Sequence, residues 1–370
     1  MRRGRVVHQY PTAFKNWGIE EIEAIERVIS SDRFTQGPEV EAFEAEFAAY
    51  HGRSYAIMTN SGSSANLVAT DAIVIRRGLQ CSLFDVLVPA IAWSTTYGPI
   101  IQRGFYPILN DVDATWNADP GLHPSSLVVG CSILGCPARL DHPFLEDNCE
   151  ALGARTETGQ LTGTFGDLST FSFFHSHQIS AIEGGCILTD DLELARLCRV
   201  LANHGNEGFA FPTKDFDHSY RFTQFGFNVR GLEMHAAIAR EQLKKLDHHN
   251  VARRSNLAHF TAATEGLPIT LQAQRGTPAP FGLAFTVDGG NAARARLVAA
   301  LQATGIDARL PTGGSFLRHP YGAPWRDQKT PNADRIHDTG LFLGNAPFPI
   351  PHLIEKAVGV MRHSLEVTSP

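Results

Sequence analysis

Apolar residues open the chain at helical spacing. Ile22, Ile25 and Ile29 share one face of a segment over residues 20–29. Val40, Phe43, Phe47 and Tyr50 repeat that spacing from Pro38 onward. A proline in the first turn suits a helix start, because the nitrogen there has no intrahelical partner to lose. The rhythm then changes. "YAIMTN" is a short apolar run of the kind a buried strand needs, and "SGSSANLVATDAIVI" turns from it into an apolar helix. "DVLVPA", "FYPILNDV", "SLVVGCSIL" and "GCILTDD" are further short apolar runs that end in polar or turn residues. Strands alternating with helical stretches predict an α/β fold, a mostly parallel sheet with helices on its faces.

Around residues 265–280 the composition shifts to Pro, Gly, Gln and Thr. Beyond it, "FGLAFTVDGG" reads as a strand. "NAARARLVAALQATG" reads as a helix closed by Gly305, a residue that tolerates the left-handed backbone of a helix end. A length of 370 residues exceeds one minimal core. The expected organisation is a large domain over residues 1–249, with an N-terminal arm, and a smaller C-terminal α/β domain over residues 250–370. Neither an internal repeat nor a low-complexity tract interrupts it.

A formal net charge of −6 gives no electrostatic footprint for nucleic acid or an anionic membrane. No apolar run reaches the length needed to span a bilayer. The start, "MRRGRVVHQYPTAF", lacks the apolar core of a secretory signal. The six cysteines show no C-x-x-C pairing and read as buried free thiols in a reducing compartment. The cytoplasm is the expected setting.

Several stretches could carry chemistry. "SGSSANL" places small residues between a strand and a helix, where free N–H groups at Gly62 and Ser63 could receive a phosphate; by itself it reads as well as a plain helix cap. Trp93, in "PAIAWSTT", could cover a planar ring or simply join the core. Asp147 and Glu150 follow an apolar strand, at the end where parallel sheets place ligands. A buried carboxylate there needs a partner, and a protonated heterocyclic nitrogen would serve, though a helix start also favours acidic residues. His175 and His177 in "FSFFHSHQISAIEGG" could bind a metal, move a proton or pack; no third metal-ligand pattern flanks them, so no metal site is expected.

In order, "SGSSAN", "PAIAWSTT", "LEDNCEALGA", "FSFFHSHQISAIEGG" and "FGFNVRGLEMHAAI" resemble the DegT/DnrJ/EryC1/StrS family of sugar aminotransferases, from about residue 10 to the C-terminus. The resemblance implies a fold-type I, pyridoxal-phosphate (PLP) dependent transferase-like large domain, a smaller C-terminal domain, and a homodimer with shared active sites. It implies that Gly62 and Ser63 hold the cofactor phosphate, that Ser172 adds a hydrogen bond, and that Trp93 stacks on the pyridine ring. Asp147 would pair with the ring nitrogen and keep it protonated, so that the ring acts as an electron sink. Glu150 would lie near the ring hydroxyl, and Asn228 would reach the phosphate of the neighbouring subunit's cofactor. His204 is a substrate-side candidate that a structural histidine would fill almost as well.

One departure sets the expected reaction. Where family members carry the cofactor-binding lysine, this chain has His177. Imidazole has no primary amine to hold the aldehyde, yet its ordinary pKa of about 6.5 suits proton transfer near neutrality. The substitution resembles the family's 3-dehydratase branch. That branch implies non-covalent pyridoxal or pyridoxamine 5′-phosphate (PMP), L-glutamate as amino donor, and loss of the C3 hydroxyl from a nucleotide-linked 4-keto-6-deoxyhexose. Related dehydratases hold an iron–sulfur cluster on four C-terminal cysteines; here none follows Cys198, so no such cluster is expected. Two alternatives stand beside this reading: an aminotransferase working without the lysine, and a cofactor-binding regulator without catalysis. The stretch between Asp113 and Glu146 is shorter than the family pattern, which trims the outer layer of the large domain. Nucleotide and sugar configuration stay open.

Overall fold

The computed structural model describes residues 9–80, 84–118, 127–139 and 143–366. Cys81 and parts of the short 113–146 stretch lie outside them. Two helices, α1 (Ile19–Ser31) and α2 (Pro38–His51), precede strand β1 (Tyr55–Thr59). Next come α3 (Gly62–Arg77), β2 (Asp85–Pro89), α4 (Ser94–Gln102), β3 (Tyr106–Asn110), β4 (Leu127–Cys131), β5 (Leu145–Asp147), β6 (Leu168–Ser172), β7 (Gly185–Thr189) and α5 (Leu192–Ala202). Two one-turn helices, α6 (Glu207–Ala210) and α7 (Phe216–Ser219), lead to the long α8 (Glu233–Ala263). The chain ends with β8 (Ile269–Leu271), β9 (Gly282–Val287), α9 (Gly290–Ala303), β10 (Ala308–Arg309), α10 (Pro331–Thr339), β11 (Gly340–Gly344) and α11 (Pro351–Glu366).

The first seven strands form one sheet in the order β1-β7-β6-β5-β4-β2-β3. All neighbours run parallel except β7, which is antiparallel to both β1 and β6. Helices cover both faces, which is why the strands read as continuous apolar runs rather than alternating ones. On one face Val68, Ala72 and Ile73 of α3 pack with Val86, Leu145, Leu168 and Ile187. On the other, Phe43 and Phe47 of α2 meet Phe171 and Phe173 at ring separations of 5.2–5.4 Å. The second sheet, β10-β11-β9-β8, is antiparallel throughout and is packed by α9 and α11 through Leu297, Leu301, Ile354 and Met361. Gly305 has the expected positive φ, 74°. Among the described residues no helix is long and apolar enough to cross a membrane.

Two expectations differ from what is seen. The boundary at residues 249 and 250 falls inside α8, which continues unbroken from one domain into the other. The arm, grouped with the large domain, instead joins the small one: Tyr10 is buried in the second core and its hydroxyl donates to the Gly344 carbonyl at 2.9 Å. Of the isoleucines on α1, Ile22 and Ile29 are 42% and 56% exposed, while Ile25 is half-buried against the large-domain core. Ala24 and Val28 face α8 instead, against Ala237. The buried Glu21 sets this rotation, because Lys245 and Gln242 of α8 both bond its carboxylate.

Glu233, the first residue of α8, ties the two helices beneath the sheet. Its carboxylate accepts the Gly37, Val40 and Glu39 N–H groups at 2.7, 3.0 and 3.0 Å, closing the open end of α2. Glu233→Ala strands these buried donors and is expected to lower the unfolding free energy by about 2–3 kcal/mol. Urea titration followed by far-UV dichroism reads the loss; an unchanged midpoint would refute the capping role.

Candidate active site

A cavity of about 640 Å³ opens where the parallel strands end, walled on its far side by the small domain. Turns after β1, β2, β5 and β6 supply one wall, the position in which α/β sheets bind ligands. Of the residues expected at the site, Gly62, Ser63, Trp93, Asp147, Glu150, Ser172 and His177 all line it.

The α3 N-terminus is shaped for an anion. Ser61 caps it by accepting from Ser64 N–H at 3.1 Å, and Ser63 Oγ shares a 2.8 Å hydrogen bond with Thr95 Oγ1. A Cβ on Gly62 would stand 2.6 Å from Ser172 Cβ and 2.7 Å from Cys149 Sγ, so only glycine fits. The first-turn N–H groups and the positive end of a 16-residue helix therefore face the cavity without a side chain in the way. Ser172 Oγ accepts from Phe174 N–H at 3.4 Å.

Asp147 ends β5 and is 3% exposed. Its Oδ2 accepts from Asn66 Nδ2 at 2.9 Å and Thr96 Oγ1 at 2.8 Å, while Oδ1 accepts the Cys149 N–H at 3.1 Å. Asn66 Oδ1 in turn takes the Thr170 hydroxyl at 2.5 Å, which fixes the amide with its NH₂ toward Asp147. Three donors and, among the described residues, no cation against it suit a carboxyl group presented to a cationic ligand. Asn66 and Thr96 were not read from the sequence. Asn66 lies one helical turn beyond Ser63, and that spacing was the available signal.

Glu150 accepts the Leu134 N–H on Oε2 at 2.8 Å. Burial pushes its carboxyl from the ordinary 4.5 up to about 7, with the Leu134 bond opposing and the Asp147 charge adding to the shift. A raised folded-state pKa means the folded protein holds the proton more tightly. The stability it contributes is complete below about pH 4.5 and is lost as pH rises through 7. Glu150→Gln, neutral at every pH, should therefore gain melting temperature over the wild type between pH 5 and pH 8 in cofactor-free protein. A gap that is constant across that range would refute the assignment.

His177 sits in the loop between β6 and β7. Its Nδ1 hydrogen-bonds the Cys149 carbonyl, and its ring lies 4.9 Å from that of Phe281. A carbonyl only accepts, so the neutral ring carries its proton on Nδ1 and leaves the Nε2 lone pair free. Burial pushes the pKa down to about 4; the Cys149 carbonyl and Asp147 oppose this, and Arg253 and His175 add to it. Gln178, fully buried, clamps the loop by donating to the Glu150 and Ala279 carbonyls at 2.6 and 3.0 Å. His175 lines a different groove, beside Phe14 and Trp17 of the arm. Among the described residues no lysine lines the cavity.

Trp93, the residue before α4, is 57% exposed at the cavity wall. Asn228 and His204 lie apart from their own chain's cavity. Asn228 is exposed, and His204 Nε2 meets Arg230 Nη1 at 2.9 Å. Both flank a segment whose Phe209, Phe216, Tyr220, Phe222 and Phe225 face solvent, Phe225 almost wholly.

The model of the DegT/DnrJ/EryC1/StrS aminotransferase family matches residues 16–123 and 133–350. A GDP-4-keto-6-deoxy-D-mannose 3-dehydratase of Yersinia pseudotuberculosis is 34% identical over 391 residues, covering 97% of this chain and 99% of that protein. The structure of the E. coli GDP-4-keto-6-deoxy-D-mannose-3-dehydratase with bound hydrated PLP superposes with a TM-score of 0.89 at 34% identity, over 96% of this chain and 100% of that one. A GDP-4-keto-6-deoxymannose-3-dehydratase with a trapped PLP-glutamate geminal diamine gives a TM-score of 0.88 at 32% identity, over 95% and 100%.

Proposed function

The chain belongs to the DegT/DnrJ/EryC1/StrS aminotransferase family, and we propose that within it the chain removes the C3 hydroxyl of a nucleotide-linked 4-keto-6-deoxyhexose, with L-glutamate as amino donor. One observation carries the reading: a free imidazole nitrogen, in a cavity that no described lysine lines, beside a carboxyl group suited to a cationic ring nitrogen. GDP-4-keto-6-deoxy-D-mannose is the substrate to test first.

Pyridoxal phosphate, aminated by glutamate, supplies a primary amine for the sugar ketone and a ring that takes up electrons. Gly62 and Ser63, with Thr95 behind Ser63, hold its phosphate. Asp147, held by Asn66, Thr96 and the Cys149 N–H, would pair with its ring nitrogen. Glu150, Trp93 and Ser172 line the same cavity and would meet its ring hydroxyl, one ring face and a further polar atom. His177 takes a proton on Nε2 and returns it to the departing C3 oxygen, while Nδ1 stays on the Cys149 carbonyl and keeps the ring in place. The electrons balance through glutamate: for each C3 hydroxyl replaced by hydrogen, one glutamate becomes 2-oxoglutarate and one ammonia is released.

His177→Asn should retain the cofactor, because the phosphate and ring-nitrogen contacts remain, and should lose about 10²–10⁴-fold in turnover. Borohydride should fix no cofactor to the wild-type protein. Mass spectrometry after incubation with glutamate and GDP-, dTDP- or CDP-linked 4-keto-6-deoxyhexoses separates the rivals: ammonia and a 3-deoxy sugar for this reading, an amino sugar for a transaminase, no product for a regulator. A cofactor–lysine adduct would overturn the reading.

The working assembly is a homodimer with shared sites, supported by the aromatic face over residues 209–225 and by Asn228 standing outside its own cavity. The five described cysteines are free thiols, which suits the cytoplasm as its setting. Asn228→Ala should weaken cofactor retention by about 1.5–3 kcal/mol, the worth of a hydrogen bond to a charged group, as read by equilibrium dialysis. A monomer with full turnover at high dilution would end the shared-site proposal.

A further inference from the structure

The guests of this cavity are anions, yet its described lining is poor in cations. Glutamate brings two carboxylates, the nucleotide sugar a diphosphate and the cofactor a phosphate. Asp147, Glu150 and Glu183 line the walls, and Arg309 is the one lysine or arginine among the described lining residues. The α3 N-terminus on the large-domain wall provides for the cofactor phosphate. The other anions meet a wall that holds a single guanidinium.

Strand register places that guanidinium. Arg309 pairs with Phe342 across β10 and β11, and directly opposed residues of an antiparallel pair project from the same face. Leu341 and Leu343, on either side of Phe342, enter the small-domain core, and Ala308 beside Arg309 packs against it. Phe342 therefore points the other way, into the cavity. Its ring lies 5.9 Å from that of Phe281, which lies 4.9 Å from that of His177. Arg309 shares this face. Its side chain is 61% exposed, so a ligand can reach it.

The side chain is also held. Nε and Nη2 both donate to Asp307 Oδ2, at 3.2 and 3.1 Å, and Nη1 bonds to no described residue. The N-terminal arm steadies Asp307: its Oδ2 accepts the Thr12 hydroxyl at 2.9 Å, and its N–H donates to the Tyr10 carbonyl at 2.9 Å. Asp307 lowers the net charge of the pair, so the guanidinium acts less by long-range attraction than by a fixed N–H edge. Carboxylate and phosphate oxygens suit that edge alike, because the N–H groups of arginine form a rigid planar fork. Resting on the reaction proposed above, we propose that Arg309 is a substrate-anchoring residue. Its Nη1 edge donates to an anionic oxygen of a guest: a carboxylate of the amino donor or the diphosphate of the nucleotide sugar.

Arg309→Gln keeps a planar polar head without the charge, and Arg309→Lys keeps the charge. Calorimetric titration of the aldehyde-form enzyme with 2-oxoglutarate, GDP and guanosine reads binding when no amine is present to react. The glutamine variant should bind at least one of the two anions about threefold to tenfold more weakly. The lysine variant should recover part of that loss, and guanosine should bind wild type and both variants alike. A loss confined to 2-oxoglutarate assigns the edge to the amino donor, and a loss confined to GDP assigns it to the diphosphate. A loss in both assigns it to each guest in turn. Unchanged affinity for both anions overturns the proposal, as does a wild-type protein that binds neither. A loss that guanosine shares, or that lysine leaves wholly unrepaired, overturns it too, because charge is then not the cause. A wild-type protein that binds these guests but yields no 3-deoxy product sinks the reaction reading and leaves the Arg309 comparison standing, because the titrations do not depend on turnover.

Discussion

Asp147 places a buried carboxyl group at the end of the central strand, with no cation against it among the described residues, and the large domain is arranged around satisfying it. Two helices begin where they do so that Asn66 of α3 and Thr96 of α4 reach one carboxylate oxygen. Strand register is part of the same constraint. Asp147 pairs with Cys131 on β4 and with Thr170 on β6, and Thr170 orients the asparagine. A slip of one residue in β5 would turn the carboxylate to the opposite face and leave an unpaired charge inside the sheet.

His177 follows a different logic. Its environment opposes charge on the ring, while the hydrogen bond from the ring to the Cys149 carbonyl selects which nitrogen carries the proton. The acceptor is a backbone carbonyl two residues past Asp147, so the strand end that carries this carboxyl group also orients the imidazole. Gln178 then ties the loop to Glu150 and to the segment leading into β9, which brings Phe281 against the imidazole. The pieces of the site are held by one another rather than by separate supports.

Much of this was legible in the chain. Short apolar runs ending in turn residues gave the strands, because a sheet covered on both faces leaves no alternation to obscure them. Seven of the residues expected at the site line one cavity, since each lies at or soon after a strand end. What periodicity could not give was orientation. Ile22, Ile25 and Ile29 form a regular stripe, yet the buried face of α1 was decided by Glu21 finding Lys245, more than two hundred residues away. The direction of β7 and the docking of Tyr10 in the second core are likewise long-range outcomes.

The continuity of α8 has a mechanical consequence. Its early turns lie under the large sheet through Ala236 and Leu246, and its last turns enter the small core through Phe260. Arg253 and Asn256, between them, bond the carbonyls of Asn345, Ala346 and Phe348. The N-terminal arm crosses back along the same junction to Gly344. A stiff rod and a return strap resist rotation far better than a single flexible linker. The spacing between the two walls of the cavity is therefore tied to the packing of this one helix and of the arm beside it.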